Sequence, residues 1–154
     1  MRERWQPVAI LIGILFAINA VTRFIVWQVA PKSDTKQITL GLIGLGLVAL
    51  IMGVSGYRWA VRYPLSRLAA DLGAAIAVAC LLTVLVGPFA GGSVPFKEGA
   101  GVFFGEIWQY LGFAGGGAVL GLLVAIMLGR DYRSKALKRY TQQKLAKPRR
   151  VVRR

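Results

Sequence analysis

The chain has 154 residues, 56% of them hydrophobic, a mean hydropathy of +0.58 and a formal net charge of +14. Soluble domains average about 45–50% apolar residues; here the excess is gathered into long uninterrupted blocks, which excludes an ordinary soluble domain. There is no His and only one Cys, Cys80, so an intrachain disulfide and a Cys/His metal cluster are excluded, and neither cofactor nor metal is expected.

A hydrocarbon core of about 30 Å takes roughly 20 mostly apolar residues per crossing helix. Four segments qualify, at 7–29, 38–57, 68–89 and 107–128, the last with a start as early as Val102. Inside lipid the backbone must satisfy its own hydrogen bonds, and the alternation of a barrel strand is missing, so all four are helices. The expected fold is an all-α integral membrane protein: a four-helix transmembrane domain over 1–128 and a basic cytoplasmic tail over 129–154.

The opening "MRERW" before an apolar run has the form of a secretory leader. The run outlasts a leader's apolar region, however, and a cut after Ala20 would place Ile18 where a small residue is preferred. An uncleaved helix is therefore expected. Arg23 is the one charge well inside it, and Asn19 lies four residues earlier on the same face. Arg23 either snorkels to the headgroups or forms an intramembrane polar site, paired with Glu106, Glu98 or Asp34. Asn19 lies deeper and is expected to bond across helices.

A short turn, "APKSDTKQ", makes the first two helices antiparallel neighbours. The second helix carries Gly46, Ala49, Gly53 and Gly56 on successive turns; the fourth carries Gly112, Gly116, Gly117 and Gly121. Small residues let helix backbones approach closely, which a lipid-facing surface does not need. They serve either packing of the second helix on the fourth or docking of another subunit. Gly44 and Gly46 form no dinucleotide fingerprint, since no strand precedes them.

After a basic loop, "RWAVRYPLSR", the third helix opens with Arg67 and Asp71 one turn apart, an ion pair on one face. Cys80 sits among apolar residues, as a small packing or lipid-facing side chain. The long connection over 90–106 mixes glycines with Phe96, Phe103 and Phe104. It is expected to lie in the interface or over the helix ends, ahead of a re-entrant course.

The last 26 residues carry eleven Lys or Arg and one acid. Arg130, Arg133, Lys135, Lys138, Arg139 and Lys144 fall on a candidate helix that ends before Pro148. Lys147, Arg149, Arg150, Arg153 and Arg154 follow in an extended end. Sixteen Lys/Arg flank one side of the spans and four the other, so both termini are expected in the cytoplasm. Trp5, Tyr57, Trp59, Tyr63 and Tyr132 fall at the inner interface; Trp27, Phe89, Phe103, Phe104, Trp108 and Tyr110 fall at the outer one. Anionic lipid headgroups are the first expected contact of the tail, an acidic partner protein the next, and nucleic acid the least favoured.

No acid lies near the middle of any span, and nucleophilic triads lack their His base. These features together suggest a non-enzymatic accessory or scaffold subunit of a larger membrane complex, homo- or hetero-oligomeric. The Ala-, Gly-, Val- and Arg-rich usage suggests a bacterial plasma (inner) membrane. A homo-oligomeric transporter or channel, with Asn19 and Arg23 lining the path, is the second reading. A membrane anchor for ribosomes or nucleic acid is the third.

Overall fold

The structure, a computed structural model, describes residues 2–29, 33–96 and 99–146. It holds six helices among them: α1 (Arg2–Val29), α2 (Asp34–Arg62), α3 (Leu65–Leu85), α4 (Gly87–Ala90), α5 (Ala100–Met127) and α6 (Tyr132–Ala146). No strand occurs among the described residues, and α1, α2, α3 and α5 are long and apolar enough to cross a membrane.

These four form a bundle. The closest contact is α2 with α5; α1 packs on α2 and α3, and α3 packs on α5. The helices α1 and α5 are diagonal to each other and barely touch. Glycine makes the α2–α5 contact so close. A side-chain carbon at Gly117 would overlap the Ala49 carbonyl, and one at Gly121 the Gly53 carbonyl. One at Gly56 would come within 2.6 Å of the Ala118 carbonyl, and one at Gly53 within 3.3 Å of the Gly117 carbonyl. The contacts advance together along both chains, so α2 and α5 run parallel. The two helix backbones touch at a spacing that no larger residue allows.

Leu15, Val48 and Met52 are fully buried where α1 and α2 meet the rest of the bundle, alongside Ala75, Ala79 and Cys80 of α3. At the end where α3 begins, Asp71 is buried and its Oδ2 lies 3.5 Å from Arg67 Nε. The Arg67 guanidinium also stacks over Tyr63, 4.2 Å from the ring centroid. This end also receives the start of α1 and the end of α5; it is called here the tail end, and the opposite one the cavity end.

The helix limits differ from the sequence expectation in all four spans; the second, set at 38–57, runs from Asp34 to Arg62. The first span, set at 7–29, is helical from Arg2, because the polar residues before the apolar run continue the same spiral. The third, set at 68–89, starts at Leu65 and stops at Leu85. Pro88 has no N–H to continue the ladder and instead sits in the first turn of the short α4. The fourth, set at 107–128 with a start as early as Val102, starts at Ala100. Phe103 and Phe104 therefore stand on α5 rather than in a loop, and the connection shrinks to residues 91–99. Phe96 closes it by stacking on Phe103 at 4.1 Å between centroids. Phe96 adopts φ +67 to do so, a conformation disfavoured for a bulky residue. The Pro88 carbonyl gathers the turn, accepting from the N–H groups of Gly91 and Ser93 at 3.0 Å each.

Candidate functional site

The polar residues of the bundle's cavity end converge on one space. On α1, Asn19, Thr22 and Arg23 share a face by their three- and four-residue spacing. The Thr22 hydroxyl is spent on the Ile18 carbonyl at 2.8 Å. Its methyl and hydroxyl press on Gly44 of α2, where a side-chain carbon would come within 2.7 Å. That contact seals α1 on α2. Beyond it the bundle opens into a cavity of about 740 Å³, lined from α1, α2, α3, α5 and the turn after α4.

Arg23 and Glu106 bridge the diagonal. Arg23 Nη2 donates to Glu106 Oε2 at 2.8 Å, across 83 residues of sequence. A charge-assisted bond of this length is roughly twice as strong as a neutral one. Gly87 makes room for the guanidinium: a side-chain carbon there would stand 3.1 Å from Arg23 Nε. Arg23 therefore meets one of the three acids that its position suggested. Asp34's side chain and Glu98 lie outside the described residues.

The floor of the cavity is made by Thr83 of α3, Tyr110 of α5 and Leu45 of α2. Below it the fully buried Leu15, Val48 and Met52 close the bundle. The Thr83 and Tyr110 hydroxyls are buried within reach of each other, and beyond that pairing neither they nor the Nε of Arg23 have a hydrogen-bond partner. Native proteins leave few such groups unpaired. The walls add the amides of Asn19 and Gln109. The chemistry on offer is recognition: donors, acceptors and one pair of opposite charges around a space the size of a small-molecule pocket.

Asn19 and Arg23 thus stand together in this site. Thr83, Gln109 and Tyr110 were not singled out by their sequence setting. Tyr110 read as an interfacial ring; in the structure it is 1% exposed and faces inward. The usable signal was its spacing, since Tyr110 follows Glu106 by four residues and so shares its face. Trp27 and Trp108 are exposed at 52% and 74%, near the level of the cavity.

The six singled-out glycines divide into two groups. Gly53, Gly117 and Gly121 lie in the α2–α5 contact, with Gly56 beside them, while Gly46, Gly112 and Gly116 have no atom within 4 Å of a side-chain position.

The tail begins with a helix stop. Gly129 takes φ +59, and the N–H groups of Gly129 and Arg130 bond the Ile126 and Ala125 carbonyls at 2.8 and 3.0 Å. This left-handed turn ends α5 and redirects the chain. Asp131 then caps α6. Its Oδ2 accepts from the N–H groups of Arg133 and Ser134 at 3.1 and 3.2 Å. On α6, Arg133, Lys135, Lys138, Arg139 and Lys144 follow with no acid among them; Arg130 lies before the cap, 3.4 Å from the Tyr57 hydroxyl. Lys147, Arg149, Arg150, Arg153 and Arg154 lie outside the described residues.

The Ser134 hydroxyl beside it, and the N–H groups of Ser134 and Arg133, hold the Asp131 carboxyl below the usual range. A depressed folded value means that the cap's contribution is full above the unfolded aspartate range and is lost as pH falls through the depressed value. Amide-exchange protection factors over residues 133–140, which remove the intrinsic pH dependence of exchange, should therefore be full near neutrality and fall on acidification below the ordinary aspartate range. Asp131→Asn, which still caps, should remove that pH response. An equally strong acid response in the Asn variant would sink this assignment.

No protein-family model, curated protein or solved structure matches the chain.

Proposed function

We propose that this protein is a non-enzymatic accessory or scaffold subunit of a larger membrane complex, set in a bacterial inner membrane with both termini in the cytoplasm. One observation carries the reading: α5 has glycines on two faces and spends only one of them inside the bundle. Gly117 and Gly121 receive α2, whereas Gly112 and Gly116, four residues apart, face open space. A helical glycine costs up to about 1 kcal/mol relative to Ala, and a lipid-facing surface returns nothing for it. A second helix brought to backbone contact does return it. The basic α6 supports the same reading from the cytoplasmic side. Anionic headgroups there attract it by about 1 kcal/mol per basic residue near the surface, which leaves the arm placed against the membrane for an acidic partner.

The test is extraction in a gentle detergent followed by native mass measurement. The wild type should carry a second protein, and Gly112→Leu with Gly116→Leu should release it while the bundle stays folded. A wild-type chain that runs only as a lone monomer defeats the proposal. A homo-oligomer would favour the transporter or channel reading, for which the polar cavity speaks; the apolar layer of Leu15, Val48 and Met52 beneath the cavity weighs against an open path within one chain.

A further inference from the structure

The cavity contains polar groups that the fold does not use. Thr83 and Tyr110 are 3% and 1% exposed; their hydroxyls reach only each other, which leaves one of the two protons unbonded, and Arg23 Nε has no partner. All three residues line the same space. A buried hydroxyl left unbonded is destabilising, and an apolar side chain of the same shape would serve packing better. Groups of this kind around one cavity are accounted for by a molecule that enters and bonds them.

Charge narrows its chemistry. Arg23 meets Glu106 through Nη2 and Oε2. That leaves Arg23 Nε as a donor and Glu106 Oε1 as an acceptor on the same wall. A simple anion drawn to Arg23 would also face Glu106, and a simple cation drawn to Glu106 would face Arg23. A group that carries both charges meets both partners favourably. Asn19 and Gln109 supply neutral donors and acceptors beside them. Position narrows the source. Trp27 lines the cavity and is exposed, and Trp108 is exposed nearby; such rings settle at the headgroup level of a bilayer.

We infer that this cavity binds a zwitterionic group, an ammonium and an anionic oxygen group within one small molecule, supplied by the headgroup of a phosphatidylethanolamine lipid in the leaflet at the cavity end. The ammonium goes to Glu106, and the anionic group to Arg23 Nε and the Thr83 and Tyr110 hydroxyls.

The full chain in detergent micelles provides the test. Thermal unfolding is followed with glycerophosphoethanolamine, with anionic glycerophosphoglycerol and with glycine, and native mass measurement counts retained phosphatidylethanolamine and phosphatidylglycerol. Glycerophosphoethanolamine should raise Tm saturably, glycerophosphoglycerol should not, and phosphatidylethanolamine should be the lipid retained. An equal response to glycine would keep the zwitterion site and move its source from lipid to a free solute. Thr83→Val with Tyr110→Phe should weaken binding roughly tenfold or more, with no loss of stability in the absence of ligand. Gly41 also lines the cavity and has open space at its side-chain position, so Gly41→Phe should abolish binding by filling it. The proposal is overturned if the wild type shows no saturable response to glycerophosphoethanolamine or glycine. It is overturned equally if the anionic probe binds as well, or if binding survives unchanged in the hydroxyl variant. Should that variant fail to fold, unchanged binding in Gly41→Phe decides against it.

Discussion

Replacing Gly121 with valine should separate α2 from α5 and cost the bundle about 3 kcal/mol or more. Even the first side-chain carbon overlaps the Gly53 carbonyl and falls 2.9 Å from the Tyr57 backbone nitrogen. Those atoms are helix backbone, held by their own ladder, and they cannot rotate aside as a side-chain tip would. The helices must move apart, and every contact along the closest seam of the fold loosens with them. Overpacking in a core typically costs about 1–3 kcal/mol, and a backbone obstacle places this variant at or above the top of that range. A loss of 3 kcal/mol is more than a hundredfold in the folded-to-unfolded ratio, since about 1.4 kcal/mol is tenfold. Gly117→Val meets the Ala49 carbonyl in the same way and should behave alike. Gly112→Val is the control: its new side chain enters open space, and the change should stay within about 0.5 kcal/mol. Unfolding in mixed micelles, followed by far-ultraviolet circular dichroism, reads the difference. Equal midpoints for Gly121→Val and Gly112→Val would remove the parallel α2–α5 contact from consideration.

This seam is also the part of the tertiary structure most legible in the sequence. Ala49 and Gly53 on one helix, and Gly117 and Gly121 on the other, stand four residues apart inside apolar runs, where only close helix contact rewards a missing side chain. The four crossing helices were legible for a simpler reason: each supplies about 20 apolar residues without a break. The start of α5 was hidden. Gly99, Gly101 and Gly105 are weak helix formers, and local preference put Phe103 to Glu106 in a loop. Two contacts override that preference, the Phe96 ring on Phe103 and the Arg23 guanidinium on Glu106. Neither can be seen in a local window, because one depends on a turn with positive φ and the other joins residues 83 apart. The cavity was hidden more deeply still. Asn19 and Arg23 marked one wall, but Thr83 and Tyr110 join them only because α1 and α5 stand diagonally and leave space between them.

That diagonal makes the ion pair the second place where one substitution should be felt strongly. Arg23→Ala removes the main link between α1 and α5 and leaves the Glu106 carboxylate facing a half-enclosed cavity. Breaking a fully buried pair from one side costs about 3–5 kcal/mol, chiefly because the remaining charge is stranded. Here the side chains keep 25% and 37% of their exposure, so water reaches both and about 1–3 kcal/mol is the expected loss. Glu106→Gln should cost less than Arg23→Ala, because the amide oxygen still accepts from the guanidinium and Arg can carry its charge toward the headgroups. Removing both charges together tells packing apart from pairing. An Arg23→Met, Glu106→Leu protein strands no charge, and apolar replacement of a whole pair is often neutral or stabilising. It should therefore recover most of the stability lost in Arg23→Ala. The exchanged pair, Arg23→Glu with Glu106→Arg, should recover part of it, limited by the space beside Gly87 that is shaped for a guanidinium on α1. A double-mutant cycle on unfolding free energies gives the coupling directly. A coupling near zero, with Arg23→Ala as stable as the wild type, would mean that the two charges only lie close together and that α1 is held by its contacts with α2, α3 and α4 alone.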